Sequence, residues 1–431
     1  MTHPIPDLAR VRAFLRPWCD ADVALDCLEV SHVTVGPGGP LRALYEGAGP
    51  DGQVLRLVAQ QVRADEGRRL EAELNRSHRR PGSGFVQPAI YAPELHLLFQ
   101  VFPADRRLGG LAQAADGGAM APVLEAALAA HTGGARLAGV GVHVVRYKPA
   151  RKCLFRYDLT WADGPAPRRP AVVYAKLARR TKFERTRDIL GRLRAAAGGL
   201  DFELPEPLGT VPELAMELFS QLPGVHLFTL VDDAAFPELC ERVGAGLHHF
   251  HALPVALGWE RDMGTTVTHV TDSTAEFAAL LPAERSRIAG LGRALRAALT
   301  ALPPPRLGLT HGDFHGDNIL VDGTRIGLVD LEDCAMGDPA DDVGSNWTQL
   351  TWHTLRAAAR TSIPNLGRRA FLEAYLERTD AETAARVPTY AAMHAFLYGY
   401  QCLRHPQDPT RYEDAEAMLG VCEHVLETGL P

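Results

Sequence analysis

Asp313, Asn318 and Asp330 have the residue types and the spacing that a phosphoryl-transfer centre requires. The first two lie in Thr310-His311-Gly312-Asp313-Phe314-His315-Gly316-Asp317-Asn318, a short loop between apolar runs. Asp330 ends the run Ile326-Gly327-Leu328-Val329, which the pair Asp322-Gly323 marks as the second strand of a β-hairpin. So placed, Asp313 can accept a hydroxyl proton, Asn318 can hold a metal ion from the same loop, and Asp330 can hold it from the adjoining hairpin. Asp, Asn and Gly also make ordinary turns, because their side chains bond their own backbone and tolerate left-handed conformations. Turn chemistry accounts for Asp317, Asp322 and Gly323, but it does not require an acid at the end of the later strand.

The pattern His-x-Asp-x4-Asn, an apolar strand ending in Asp, and then Gly337-Asp338-Pro339-x-x-Asp342 resembles the aminoglycoside phosphotransferase and choline kinase family, small-molecule relatives of the protein kinases. The resemblance implies an α+β, protein-kinase-like bilobal fold with a β-rich N-lobe and a helical C-lobe. It implies Asp313 as catalytic base, Asn318 and Asp330 as Mg²⁺ ligands, and Asp338 and Asp342 as braces of the loop and the following helix. A rival reading takes Gly312-Asp313-Phe314-His315-Gly316 and Gly337-Asp338-Pro339-Ala340-Asp341 as the first two metal motifs of a metallophosphoesterase, with a metal-bound hydroxide as nucleophile. That family also needs Gly-Asn-His and Gly-His-x-His segments, and neither follows Asp341.

The 431 residues suffice for two or three domains. No apolar run approaches the length of a membrane span, and Met1–Asp7 lacks the basic and apolar regions of a signal peptide, so a cytoplasmic protein is expected. Seven scattered cysteines without a Cys-x-x-Cys pair suit reduced thiols rather than disulfides or zinc. A formal charge of -7 argues against a nucleic-acid partner. Richness in Ala, Arg, Gly and Pro points to a high-GC bacterial source.

Helical periodicity over Asp7–Trp18 precedes β-like runs at Cys27–Val35, Leu41–Tyr45 and, after the turn Gly49-Pro50-Asp51-Gly52, Val54–Val62. A charged helix over Asp65–Ser77, a loop at Arg79–Gly84 and a strand over Leu95–Phe102 follow. The order then recurs. Val142–Lys148 and Cys153–Thr160 form a hairpin, Ala171–Leu177 a third strand, Lys182–Ala197 a helix stopped by Gly198-Gly199, and Leu214–Phe219 a last strand. Pro93-Glu94-Leu95 and Pro212-Glu213-Leu214 lie at the same point of each copy, 119 residues apart, which points to an internal duplication. The boundaries drawn are 1–135, an α+β unit resembling a degenerate N-lobe; 136–223, the nucleotide-binding N-lobe; and 224–431, a helical C-lobe with the acceptor pocket. The first unit would cap, brace or form a homodimer. The C-lobe helices are expected near Pro237–Leu253, Thr274–Leu280, Ala283–Ala301, Val343–Ala359, Leu366–Arg378, Pro388–Cys402 and Asp414–Thr428.

Only the second copy carries nucleotide-binding residues. Val172-Val173-Tyr174-Ala175-Lys176 looks like the kinase strand whose lysine reaches the α- and β-phosphates, where the first copy has Leu57-Val58-Ala59-Gln60. Lys148 and Arg151 would stand at the hairpin tip over the phosphates, with charge replacing the absent Gly-x-Gly-x-x-Gly. Glu184, the only glutamate in the Lys182–Ala197 stretch, is the candidate partner for Lys176, with Asp188 second. Met216, Glu217 and Phe219 stand where such folds hydrogen-bond adenine through the main chain. His248, His249 and His251 read as a helix end, where histidine suits the dipole. Between Arg306 and Ser345 nine acids face two bases, a field that attracts Mg²⁺ and a cationic acceptor. The expected function is transfer of the γ-phosphoryl group of ATP or GTP to a hydroxyl of a small acceptor, and the alternative is a silent nucleotide-binding regulator.

Overall fold

The computed structural model describes residues 7–35, 41–49, 52–78, 83–358 and 366–430. The expected start at 1–6, the turn at Pro50-Asp51, the loop at 79–82 and the helix end at Ala359 lie outside them. The chain divides into two compact units. The first is Met1–Arg187, Pro207–Gln221 and Arg404–Pro409, and the second is Asp188–Glu206, Leu222–Leu403 and Thr410–Pro431.

The first unit holds two antiparallel sheets built to one plan. Helix α1 (Leu8–Leu15) leads to strands β1 (Ala24–Val35), β2 (Leu41–Ala48) and β3 (Val54–Gln61), then helix α2 (Ala64–Ser77), β4 (Ala89–Ala92) and β5 (Leu97–Val101), in spatial order β1-β2-β3-β5-β4. Helices α3 (Leu111–Ala114) and α4 (Gly117–Thr132) come next, followed by β6 (Leu137–Lys148), β7 (Lys152–Trp161), β8 (Val172–Ala178) and α5 (Arg180–Thr186). The chain then gives α6 (Ile189–Ala196) and β9 (Phe202–Glu203) to the second unit and returns with β10 (Pro207–Val211) and β11 (Met216–Ser220). The second sheet therefore runs β6-β7-β8-β11-β10, the same order as the first. Alternation along β7 and β8 turns Phe155, Tyr157, Val173, Ala175 and Leu177 onto a core shared with Leu124 and Leu128 of α4.

The helix expected over Lys182–Ala197 is two helices, broken at Arg187-Asp188, because Phe183 and Thr186 belong to the first unit whereas Ile189 and Leu193 sit in the core of the second. Helix α4 has no counterpart in the sequence reading, although its buried Met120, Leu124 and Leu128 recur every fourth residue.

The second unit packs α7 (Phe236–His251), α8 (Met263–Leu280), α9 (Arg285–Ala301), α10 (Pro339–Ala358), α11 (Gly367–Leu376), α12 (Ala381–Cys402) and α13 (Arg411–Thr428) around a core that includes Phe250, Phe277, Trp347 and Phe396. Against it lies a small sheet of β12 (Val225–His226), β14 (Ile319–Asp322), β15 (Arg325–Leu328) and β9, while β13 (Gly308–Thr310) pairs with β16 (Ala335–Gly337). In the β14–β15 hairpin Asp322 pairs with Arg325, so the two central residues are Gly323-Thr324 rather than Asp322-Gly323. Gly323 takes a positive φ of 58° at the first central position, which glycine adopts without a Cβ penalty. Among the described residues no helix is long and apolar enough to cross a membrane.

Candidate functional site

The loop carrying Asp313 starts where β13 ends, and its backbone is held from three directions. His311 is fully buried, its Nε2 3.0 Å from the Val329 carbonyl and its Nδ1 accepting from the Asp313 N–H at 3.3 Å. The Val329 N–H in turn donates to the Asn318 carbonyl at 3.0 Å. Both main-chain groups of Val329 thus fasten the end of the hairpin to the loop, and the next residue is Asp330. Asp330 takes a left-handed conformation, φ 61° and ψ 44°, which aspartate tolerates better than most residues. It heads a single 3₁₀ turn, Leu331–Asp333.

Within the loop the Asn318 side chain donates from Nδ2 to the Asp313 carbonyl at 2.8 Å, which fixes the amide and leaves Oδ1 as its acceptor atom. His315 lies 3.5 Å from the Asp313 carboxylate and 3.2 Å from Asn318 Nδ2. Burial pushes the Asp313 carboxyl up, but the hydrogen bond and charge of His315, with His311 behind, outweigh both burial and the repulsion of Asp330. They hold Asp313 well below the usual carboxylate range. Gly312 has φ 81°, and a Cβ there would come within 2.5 Å of the Asp333 carbonyl oxygen and 2.2 Å of the Arg261 guanidinium. Gly312→Ala should therefore lower stability by about 1–3 kcal/mol and reduce turnover with it. Thermal melting beside a steady-state assay checks this; an unshifted melt would show that the loop relaxes freely.

Asp342 is the hub beneath the loop. Its two oxygens accept from the backbone N–H groups of His311 at 2.6 Å and Gly312 at 2.8 Å. His251 Nε2 lies 3.1 Å from the same carboxylate, and His251 Nδ1 lies 2.8 Å from the Tyr375 hydroxyl. Burial would raise the Asp342 carboxyl, and the hydrogen bond and charge of His251, with His311 and its N–H, bring it below the usual range. Asp338 binds the buried Arg386 at 2.6 Å and accepts the Ala340 N–H at the start of α10. Asp341 takes His394 at 2.7 Å. The Asp338 and Asp341 carboxylates are thus engaged by a guanidinium and an imidazole.

His251 is the residue that sequence reasoning misses. It does end a helix, but it also has a carboxylate partner, as does His249, whose Nδ1 is 2.6 Å from Asp201. No local pattern reveals a pair 91 residues apart.

In the first unit Lys176 lies on β8, directly opposite Glu217 of β11. Strand β11 is paired on both sides, with β8 and with β10, so the main-chain groups of Met216, Glu217 and Leu218 serve the two ladders. Phe219 stacks on Tyr174 with ring centroids 6.2 Å apart. The paired strand ends at Ser220, and the chain passes from the first unit to the second after Gln221. Lys148 ends β6 and Arg151 lies in the turn of the β6–β7 hairpin. That tip is pinned by buried Asp105, which accepts from the Tyr147 hydroxyl and the Ala150 N–H, each at 2.7 Å. Glu184 is exposed on α5 and enters no ion pair among the described residues, while Asp188 opens α6 in the second unit.

A model of the family described as "Phosphotransferase enzyme family" matches residues 157–396, more than half of the chain. The chain belongs to this family. Viomycin phosphotransferase of Streptomyces vinaceus is 32% identical over 187 residues, covering 38% of this chain and 64% of that protein. The chain thus spans slightly less than two thirds of that relative's length. Among solved structures, a glucosamine kinase is 18% identical and covers 93% of this chain and 94% of its own, with a TM-score of 0.47. A choline/ethanolamine kinase family protein from Mesorhizobium loti is 18% identical over 72% of this chain and 95% of its own, with a TM-score of 0.45. In this phosphotransferase-family chain the matched stretch contains Lys176, Asp313, Asn318 and Asp330. The first sheet lies wholly outside it.

Proposed function

We propose that this chain transfers the γ-phosphoryl group of ATP, or GTP, to a hydroxyl of a small acceptor. The observation that carries the reading is the clasp on Val329, which sets Asp330 beside the loop that holds Asp313 and Asn318. Asp313 orients the acceptor hydroxyl and takes its proton. Because His315 keeps it ionised, it is a hydrogen-bond acceptor throughout the neutral range and takes the proton late, as the bond to phosphorus forms.

The Asn318 amide oxygen and the Asp330 carboxylate are hard oxygen donors that fit Mg²⁺. Among the described residues no group of three His, Cys, Asp or Glu forms a metal cage, and a pair of protein donors suits an ion held largely by phosphates and water. Bound there, Mg²⁺ would neutralise phosphate charge. Lys176 engages the α- and β-phosphates, and Lys148 and Arg151 add positive charge from the hairpin tip. Adenine takes main-chain bonds just beyond the ladder, at Gln221, because Met216–Ser220 are paired with β8. We assign residues 1–135 the part of a brace acting through Asp105 on the hairpin of 136–223, with 224–431 supplying the acceptor pocket. The acceptor is a soluble hydroxylated molecule in the cytoplasm, and the acidic field around the loop favours a cationic one.

Release of ADP from MgATP, measured with the purified protein and a panel of hydroxylated amines, amino sugars and peptides, tests this reading. In that assay Lys176→Ala should raise KM for nucleotide by roughly tenfold or more, the value of a lost charge-assisted contact, with a smaller effect on KM for the acceptor. An unchanged nucleotide KM would remove Lys176 from the site.

A further inference from the structure

We propose that Glu217 is the residue that positions the Lys176 ammonium for the nucleotide phosphates, in place of a glutamate on the helix that follows β8. The proposal rests on the phosphotransferase reading above and concerns one pair within the first unit.

Lys176 and Glu217 are directly opposed across the antiparallel β8–β11 pair. Residues so opposed carry their Cβ atoms about 4.5–5.5 Å apart on one face of the sheet, within reach of a lysine stem and a carboxylate without movement of either backbone. That face is the one turned away from the core, since Ala175, Leu177, Met216 and Leu218 on either side are buried on the other. The carboxylate is itself oriented, because Thr186 at the end of α5 donates its hydroxyl to Glu217 Oε1 at 2.9 Å. Thr186 is buried. Helix α5 therefore contributes a hydroxyl that sets the glutamate and not a carboxylate of its own. Glu184 is exposed and unpaired among the described residues.

The duplicated sheet supplies an independent observation. With Pro93-Glu94-Leu95 laid on Pro212-Glu213-Leu214, Glu217 falls on Leu98. Leu98 stands directly opposite Gln60 in the first sheet, as Glu217 stands opposite Lys176 in the second. In the copy without nucleotide-binding residues both members of the pair are absent together. In the second sheet the carboxylate that would hold the ammonium thus comes from the neighbouring strand, with α5 supplying only the hydroxyl that orients it.

The test is MgATP affinity, by calorimetry on the full chain, for the wild type, Glu217→Gln, Lys176→Met, the double variant and Glu184→Gln. Glutamine keeps an acceptor for Thr186, so the melting temperature of Glu217→Gln should match the wild type while MgATP affinity falls about tenfold, the loss of one charge-assisted contact. If Glu217 acts through Lys176, adding Glu217→Gln to Lys176→Met weakens binding no further. Two losses that multiply in the double variant would overturn the proposal, as would an unchanged affinity in Glu217→Gln or a loss that appears in Glu184→Gln instead. A wild-type chain that binds no MgATP would overturn the phosphotransferase reading itself, a result separate from any pattern among the variants.

Discussion

Asp313→Asn should lower kcat by roughly 10²–10⁴-fold, the usual worth of a positioned general base, with MgATP affinity nearly unchanged. The substitution keeps the shape of the side chain and removes its charge and its capacity to take a proton. It leaves in place the bond from Asn318 to the Asp313 carbonyl, which is main chain, and the bonds of His311 and Gly312 to Asp342. The loop should therefore keep its fold, and the loss should fall on the chemical step. Measured as kcat and as KM for each substrate, the expected pattern is a fall in kcat with nucleotide KM almost constant. A variant that turns over at the wild-type rate would take the base assignment away from Asp313.

Asp342→Ala should cost about 3–5 kcal/mol of stability, because it leaves His251 and two backbone N–H groups buried without their acceptor. The same change frees the loop that carries Asp313, so activity should fall as steeply as stability. Chemical denaturation gives the stability, and an unaltered midpoint would contradict the hub role. The pH dependence has a definite sign. The folded-state carboxyl is depressed relative to its unfolded value of about 3.9. Its contribution is complete above that value and is lost as pH falls through the folded-state value. Stability curves of wild type and variant should therefore converge on acidification and stay apart at neutral pH.

What the sequence makes legible is what is local. Asp313 and Asn318 share one loop, and Asp330 follows from a hairpin with its own turn signal, so their juxtaposition is written within eighteen residues. The repeat is legible because the same proline, glutamate and leucine recur, and the identical order of the two sheets carries it further. Illegible features depend on partners far along the chain. His251 meets Asp342 and Tyr375, and Arg386 meets Asp338, only after helices pack, and no spacing rule connects them. The break at Arg187-Asp188 has the same cause, since helix propensity continues across it while the two sides are buried in different units. Glu217 was visible as a residue but not as a partner, because strand register is fixed by pairing and not by propensity.

The most direct test of the central claim is to follow the γ-phosphoryl group itself. Isotopically labelled ATP would be incubated with the purified chain, Mg²⁺ and the acceptor panel, and the products separated by mass spectrometry. Phosphoryl transfer predicts the label in an ester on the hydroxyl of one acceptor, formed in step with ADP and absent when Asp313→Asn replaces the wild type. Nucleotide bound with Mg²⁺, but with the label never passed to any acceptor or to water, would contradict it and describe a nucleotide-binding regulator instead.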